Sequence, residues 1–340
     1  MNTKTCNPKR AITKKVFIQS LKNGYDAALA EGFKWTGISD TVKPSDRIII
    51  KPNLTFPSYR QGVMTSPEGL EALVKHLKNY TNHITICESD SGGYNRFSMD
   101  EVFRRIGISE FVKKYDISIV NLSFDKPRLI TVSHGFKKLE VPLPALLLDE
   151  TDLFITMPVP KIHMNTKVSL SIKNQWGIIQ LPSERLKLHP YFAEVIYAVN
   201  KAIPRGISII DGKYGLTRSG PMEGDVVPLN WIMVSTDIFA ADYVCCHLMG
   251  IDPFTVPYLR YCLTKEDIRD FSKMEMNCDI KQFVAKEKFY LNRKWTDYPG
   301  LLTFNSRILA FIGYESLLAA PLHKLLYVFR KPFYNYERPQ

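Results

Sequence analysis

Hydrophobic residues fall into short unbroken runs separated by longer amphipathic stretches. Residues 47–51 (RIIIK), 83–87 (HITIC), 117–121 (ISIVN), 153–156 (LFIT) and 206–211 (GISIID) read as strands. Their apolar positions are continuous rather than alternating, the pattern of strands covered on both faces. Between them, 67–79, 99–115, 191–202 and 237–249 carry the spacing of amphipathic helices. Pro67 after Thr65-Ser66 supplies a helix start, with hydroxyls to cap and proline in the first turn. Strand and helix in repetition predict an α/β fold: a mainly parallel sheet with helices on both faces. Residues 129–132 and 138–141, joined by Ser133-His134-Gly135-Phe136, predict a small hairpin inserted in that plan. The 169–173 run (SLSIK) fits helix or strand equally.

The texture changes after about residue 255. Charged helical segments lead into an aromatic, proline-bearing stretch and then into the most hydrophobic part of the chain, 301–334. Asn305, Arg307, Glu315, Pro321, His323 and Lys324 interrupt it, which excludes a clean membrane span of about 20 apolar residues. The reading is an α/β core over 1–260 and a mostly helical extension over 261–340 packed upon it. The sharper alternative for 301–334 is peripheral contact with a membrane surface, helped by Arg330 and Lys331.

Composition adds a direction. Lys+Arg 45 against Asp+Glu 34 gives a net charge of +11, which favours anionic partners. The basic residues are dispersed, and no helix-turn-helix, zinc-finger or RNA-recognition pattern occurs, so nucleic acid is disfavoured. The six cysteines form no C-x-x-C pair and read as small buried hydrophobes. The N-terminus lacks an apolar secretory core, so a reduced, cytoplasmic setting is expected.

Open parallel sheets bind ligands at the carboxyl ends of their strands. Four strand ends here carry polar or glycine-rich clusters: Lys51-Pro52-Asn53, the loop from Glu88 to Gly93, Lys161 to His163, and Asp211 with the Ser219–Gly224 loop. Lys51 is a fixed charge for a phosphate or carboxylate, and Asn53 a neighbouring amide. The serines and glycines after Glu88 form a candidate anion cradle without being a dinucleotide fingerprint or a phosphate-binding loop. Lys161, His163, Lys167 and Lys173 lie within thirteen positions, so His163 is expected to resist protonation. Asp211 orients a lysine, binds metal or simply forms a turn. Asp149 and Asp152 read as a solvated turn.

The order KPNL, TSPEGLEALVKHL, a strand ending in ES, PVPKIHMNTKVSLSIKN with WG, IIDG, SGPMEGD and STDIFAADYVCCHLMGIDP resembles the DUF362 family over about 45–260. That family takes its name from the lack of an assigned function. The matching polar positions are Lys51, Asn53, Thr65, Glu88, Lys161, His163, Lys173, Asn174, Asp211, Gly220, Pro221 and Gly224. Many members resemble one another in carrying a ferredoxin-type iron–sulfur segment. This chain has no such cysteine run, which argues against cluster-based electron transfer.

The expectation is an enzyme of small-molecule metabolism acting on an anionic substrate. His163, Glu88 and Lys161 would do acid/base chemistry of the lyase, cyclase or isomerase kind. Lys51, Asn53, Thr65, Lys173, Asn174 and Asp211 would bind the substrate. No cofactor is indicated. A metal site from Glu88, His163 and Asp211 is the variant of this reading. Its rival is a non-catalytic binding or redox-partner module that docks an acidic protein or a membrane.

Overall fold

A computed structural model describes residues 14–91, 97–314, 316–318, 321–322 and 324–325. Gly92 and Gly93 of the predicted cradle, Cys6, His323 and the 326–334 part of the hydrophobic tail lie outside the described residues.

Twelve strands are described. They are β1 (Lys14–Ser20), β2 (Ile48–Pro52), β3 (Ile84–Glu88), β4 (Ser118–Asn121), β5 (Pro127–His134) and β6 (Lys137–Pro144), then β7 (Leu153–Met157), β8 (Lys161–His163), β9 (Lys167–Ser169), β10 (Gly206–Thr217), β11 (Asp225–Ser235) and β12 (Met274–Met276). Ten of them form one sheet in the order β12-β1-β11-β10-β7-β2-β3-β4, with β8 and β9 branching from β10. The run β10-β7-β2-β3-β4 is parallel throughout. β11 is antiparallel to both β10 and β1. The fold is therefore α/β with a mostly parallel mixed sheet. Among the described residues, β5 and β6 pair only with each other, as the predicted hairpin.

Side chains alternate across each strand, so both faces of β2 are buried. Ile48 and Ile50 join the helices Gly24–Thr36 and Pro67–Leu77 on one side. Ile49 joins the helices Phe192–Ala202 and Ile238–Leu248 on the other. The helix starts follow the sequence: Ser66 Oγ accepts from Gly69 N, and Asp237 Oδ1 from Ala240 N.

Two expectations change. The single helix over 99–115 is broken into Met99–Arg105 and Ser109–Tyr115, with Gly107 between them at φ 83°, a backbone state glycine adopts without Cβ strain. The stretch after 260 is less helical than read. After the helix Pro257–Lys265 come short turns and β12, and only then the helices Tyr298–Asn305 and Arg307–Tyr314. Aspartates account for the change. Asp270 and Asp279 accept from the backbone N–H two residues on, at Ser272 and Lys281, which closes turns in place of a helix.

Candidate functional site

β2 ends with Lys51 directed to the same side of the sheet as Ile49. The ammonium is buried, 1% exposed, and donates to Glu88 Oε2 at 2.7 Å. Both oxygens of Glu88 are engaged, since Oε1 accepts from Ser89 N at 3.0 Å. Lys51 Nζ also donates to Asn174 Oδ1 at 3.3 Å. Asn174 Nδ2 in turn faces the carbonyls of Lys51 and Pro52 and Thr156 Oγ1. The backbone at Gly177 closes over this ion pair. A Cβ there would lie 3.1 Å from both Glu88 Oε1 and Lys51 Nζ, so any larger residue would push the ion pair aside by a few tenths of an ångström.

Lys161 begins β8, which leaves the sheet beside β10 through the Lys161–Leu216 pairing. Its ammonium donates to Asn53 Oδ1 and to the Val63 carbonyl. Thr65 ties the same loop down, donating to the Met157 carbonyl at 2.6 Å and accepting from Asn53 N at 2.8 Å. Burial, with the charges of Lys173 and Lys51, lowers the Lys161 pKa to about 7.

Lys173 follows on the short helix Ser171–Asn174, where the ambiguous SLSIK segment resolves into strand and then helix. Its ammonium lies over the Phe192 ring at 5.9 Å. Among the described residues it has no hydrogen-bond acceptor and no carboxylate partner. Burial and the charges of Arg185 and Lys51 bring its pKa to about 7. His163, at the end of β8, is half-buried, and its pKa falls well below the usual value through burial and the neighbouring charges of Lys173, Lys161 and His189. Its Nδ1 accepts from Asn165 N at 3.1 Å, so the neutral ring carries its proton on Nε2.

The structure thus gathers Lys51, Glu88, Asn174, Asn53, Thr65, Lys161, Lys173 and His163 at one end of the parallel strands. Asp211 is not brought to the lysines. Alternation along β10 turns it to the face carrying Ile209, where it accepts from Tyr25 OH at 2.6 Å, Ser66 N at 2.8 Å and Lys213 N at 3.2 Å. It holds the start of the helix Pro67–Leu77. Glu88, His163 and Asp211 accordingly do not converge as ligands. No group of three His, Cys, Asp or Glu suited to a metal ion occurs among the described residues.

Two further residues build the site. Arg185 is buried, donating from Nε to the Ile179 carbonyl and from its two terminal nitrogens to the Asp90 carbonyl and Ser89 Oγ. Burial lowers its pKa to about 10. Asp242, fully buried, accepts from Ser171 N at 2.8 Å and Ile172 N at 2.9 Å, fixing the turn that presents Lys173 and Asn174. The signal for Asp242 was present as one carboxylate in the apolar helical run IFAADYVCC. Arg185 carried none, since PSERLKL reads as an ordinary solvated helix.

Among curated proteins, a thylakoid-associated protein of Synechocystis is 29% identical over 229 residues, covering 65% of this chain and 68% of its own length. Among solved structures, the lactate racemase apoprotein of Thermoanaerobacterium thermosaccharolyticum aligns at a TM-score of 0.43 and 14% identity, covering 70% of this chain. A structural-genomics protein from Thermotoga maritima aligns at 0.40 and 13%, covering 66%. This chain spans only 57% and 58% of those two structures. The model of the domain of unknown function DUF362 matches residues 48–247, the stretch holding every site residue described above, and the chain belongs to that family.

Proposed function

We propose that this protein is an enzyme that binds a small organic anion against Lys173 and transfers a proton to or from it. The observation that carries the reading is the unmatched charge of Lys173. Glu88 answers Lys51, whereas Lys173 is half-buried with no carboxylate beside it among the described residues. A desolvated cation is costly unless paired, and an anionic ligand supplies the partner. Lys161 adds a second charge, held in place by neutral acceptors.

The same burial suits the lysines to acid/base work. An amine with a midpoint near 7 can take up or release a proton at neutral pH. His163 contributes an Nε2–H donor, suited to an oxygen on which negative charge develops. This differs from a histidine base. Glu88, with both oxygens occupied, acts as the partner that holds Lys51.

The test is titration with inorganic phosphate and oxalate, followed by deuterium exchange from D2O into a panel of 2-oxo and 3-oxo acids. Lys173→Met should weaken anion binding by at least about tenfold, a loss of about 1.4 kcal/mol, with unchanged circular dichroism. His163→Gln should slow exchange more than it weakens binding. Equal anion affinity in Lys173→Met and wild type would remove the proposal.

A further inference from the structure

The helices near the C-terminus leave an apolar face uncovered. Trp295, in the 3-10 turn Trp295–Asp297 that leads into the first of them, is 82% exposed, and Tyr298 and Leu302 on the helix itself are exposed as well. Ile308 and Phe311 continue the pattern on the next helix, Ile308 at 72%, and Leu317 and Leu318 follow in the adjoining turn, Leu317 at 99%. Burial of this segment is one-sided. Phe304 packs on the His189 ring at 5.1 Å, and Arg293 Nε donates to the Met164 carbonyl at 3.0 Å. The segment is therefore anchored beside the His163 loop while its other side carries large apolar residues into solvent.

Charge accompanies that face. Lys281, Lys286, Lys288 and Lys324 are exposed along the same stretch, with Glu287 the exposed acid among the described residues between them, while Lys294, also exposed, pairs with Glu223 at 3.2 Å. Exposed Val284 and Tyr290 lie among these lysines. An amphipathic surface with tryptophan, tyrosine and leucine beside lysines suits the headgroup region of an anionic bilayer: the rings and leucines enter the acyl boundary and the ammonium groups meet lipid phosphates. No described helix is long and apolar enough to cross a membrane, so the contact lies in the plane of the surface.

We infer that the exposed residues of 281–314 form a peripheral membrane-docking surface, inserting Trp295, Leu302, Ile308 and Phe311 into an anionic lipid interface. The full-length chain is mixed with vesicles of phosphatidylcholine, alone or with about 30% phosphatidylglycerol, and floated through a density gradient. Wild type should float with the anionic vesicles and lose most binding at high salt, because surface attraction is screened. The double variant Leu302→Glu with Phe311→Glu should reduce flotation at least about tenfold. Lys286→Glu with Lys288→Glu should reduce it on anionic vesicles. Phe136→Glu, at the exposed tip of the β5–β6 hairpin, should float as wild type does. Circular dichroism and light scattering accompany each variant. Failure of wild type to float, or flotation indifferent to Leu302→Glu with Phe311→Glu, would overturn the inference. So would a wild-type dimer that dissociates in that variant, since the face would then meet a second copy. Flotation only after truncation beyond Leu325 would overturn it as well, placing the chain's own last residues there.

Discussion

Asn174 grips Lys51 from two directions. Its Oδ1 accepts from the Lys51 ammonium at 3.3 Å, and its Nδ2 donates to the Lys51 carbonyl at 3.2 Å. One amide side chain thus fixes both the charge of a strand end and the backbone that carries it. The fixed charge still depends on Glu88. Lys51→Met should leave that carboxylate buried and unpaired and cost about 3–5 kcal/mol. Lys51→Met combined with Glu88→Met should recover most of the loss, as read by urea denaturation of the single and double variants.

The two depressed lysines predict an unusual rise of stability with alkalinity. Between about pH 7 and the ordinary lysine value of 10.5, the unfolded chain keeps protons that Lys161 and Lys173 have lost in the fold. Stability should therefore increase with pH by up to about 1.4 kcal/mol per unit for each lysine. The window to measure is pH 7 to 8.5, because the raised thiol of Cys87 and phenol of Tyr25 reverse the sign at higher pH. Lys173→Met should roughly halve the slope in denaturation at matched ionic strength.

His189 sets the acid side. Burial and the charge of Lys173 lower its pKa to about 4. Between about 4 and 6.5 the unfolded chain binds a proton there that the folded chain refuses, so this residue's share of stability is lost as pH falls through that range. His189→Phe keeps the ring contacts with Trp176 and Phe192 in kind and should flatten the loss between pH 6.5 and 5, read by thermal unfolding.

Asp242 bears on the proposed anion site only through the backbone it holds at Ser171 and Ile172. Asp242→Ala strips two buried N–H groups of their acceptor and should cost about 2–3 kcal/mol. Asp242→Asn keeps one acceptor oxygen and should cost less. If Asp242 acts through the Ser171–Asn174 turn, phosphate affinity should fall in Asp242→Ala and return in large part in Asp242→Asn.

Sequence and structure agree where burial is uniform. β2, β7 and the start of β10 are buried on both faces, and short apolar runs such as the three isoleucines of β2 announce such strands directly. β1 and β11 escaped notice because their ends are polar or exposed and Pro228 interrupts the second, leaving no clean run. In the site, Lys51 and Asn53 were legible at the end of β2, whereas Lys161, read as ending an apolar strand, begins the short strand β8. The placement of Asp211 was not legible, because which face a residue takes depends on a register that single letters do not carry. Arg185 was hidden for a related reason. Its five acceptors lie in two earlier segments, 89–90 and 177–180, and only the fold brings the first of these to the guanidinium.

The place of β1 in the sheet bears on how the chain acquires its structure. β1 sits between β11 and β12, and the Ser235 hydroxyl that bonds the Lys15 carbonyl is 220 residues away. The parallel run from β10 to β4 can assemble without β1, whereas β1 has no neighbour in the main sheet until β11 exists. Such distant pairing is slow, because a long loop must close before any contact repays it. A nascent chain carries the apolar Val16-Phe17-Ile18 strand unpaired until β11 has been made, with both edges open to other strands. Chaperone dependence and aggregation during expression should centre on this strand, far from the chemistry of the site.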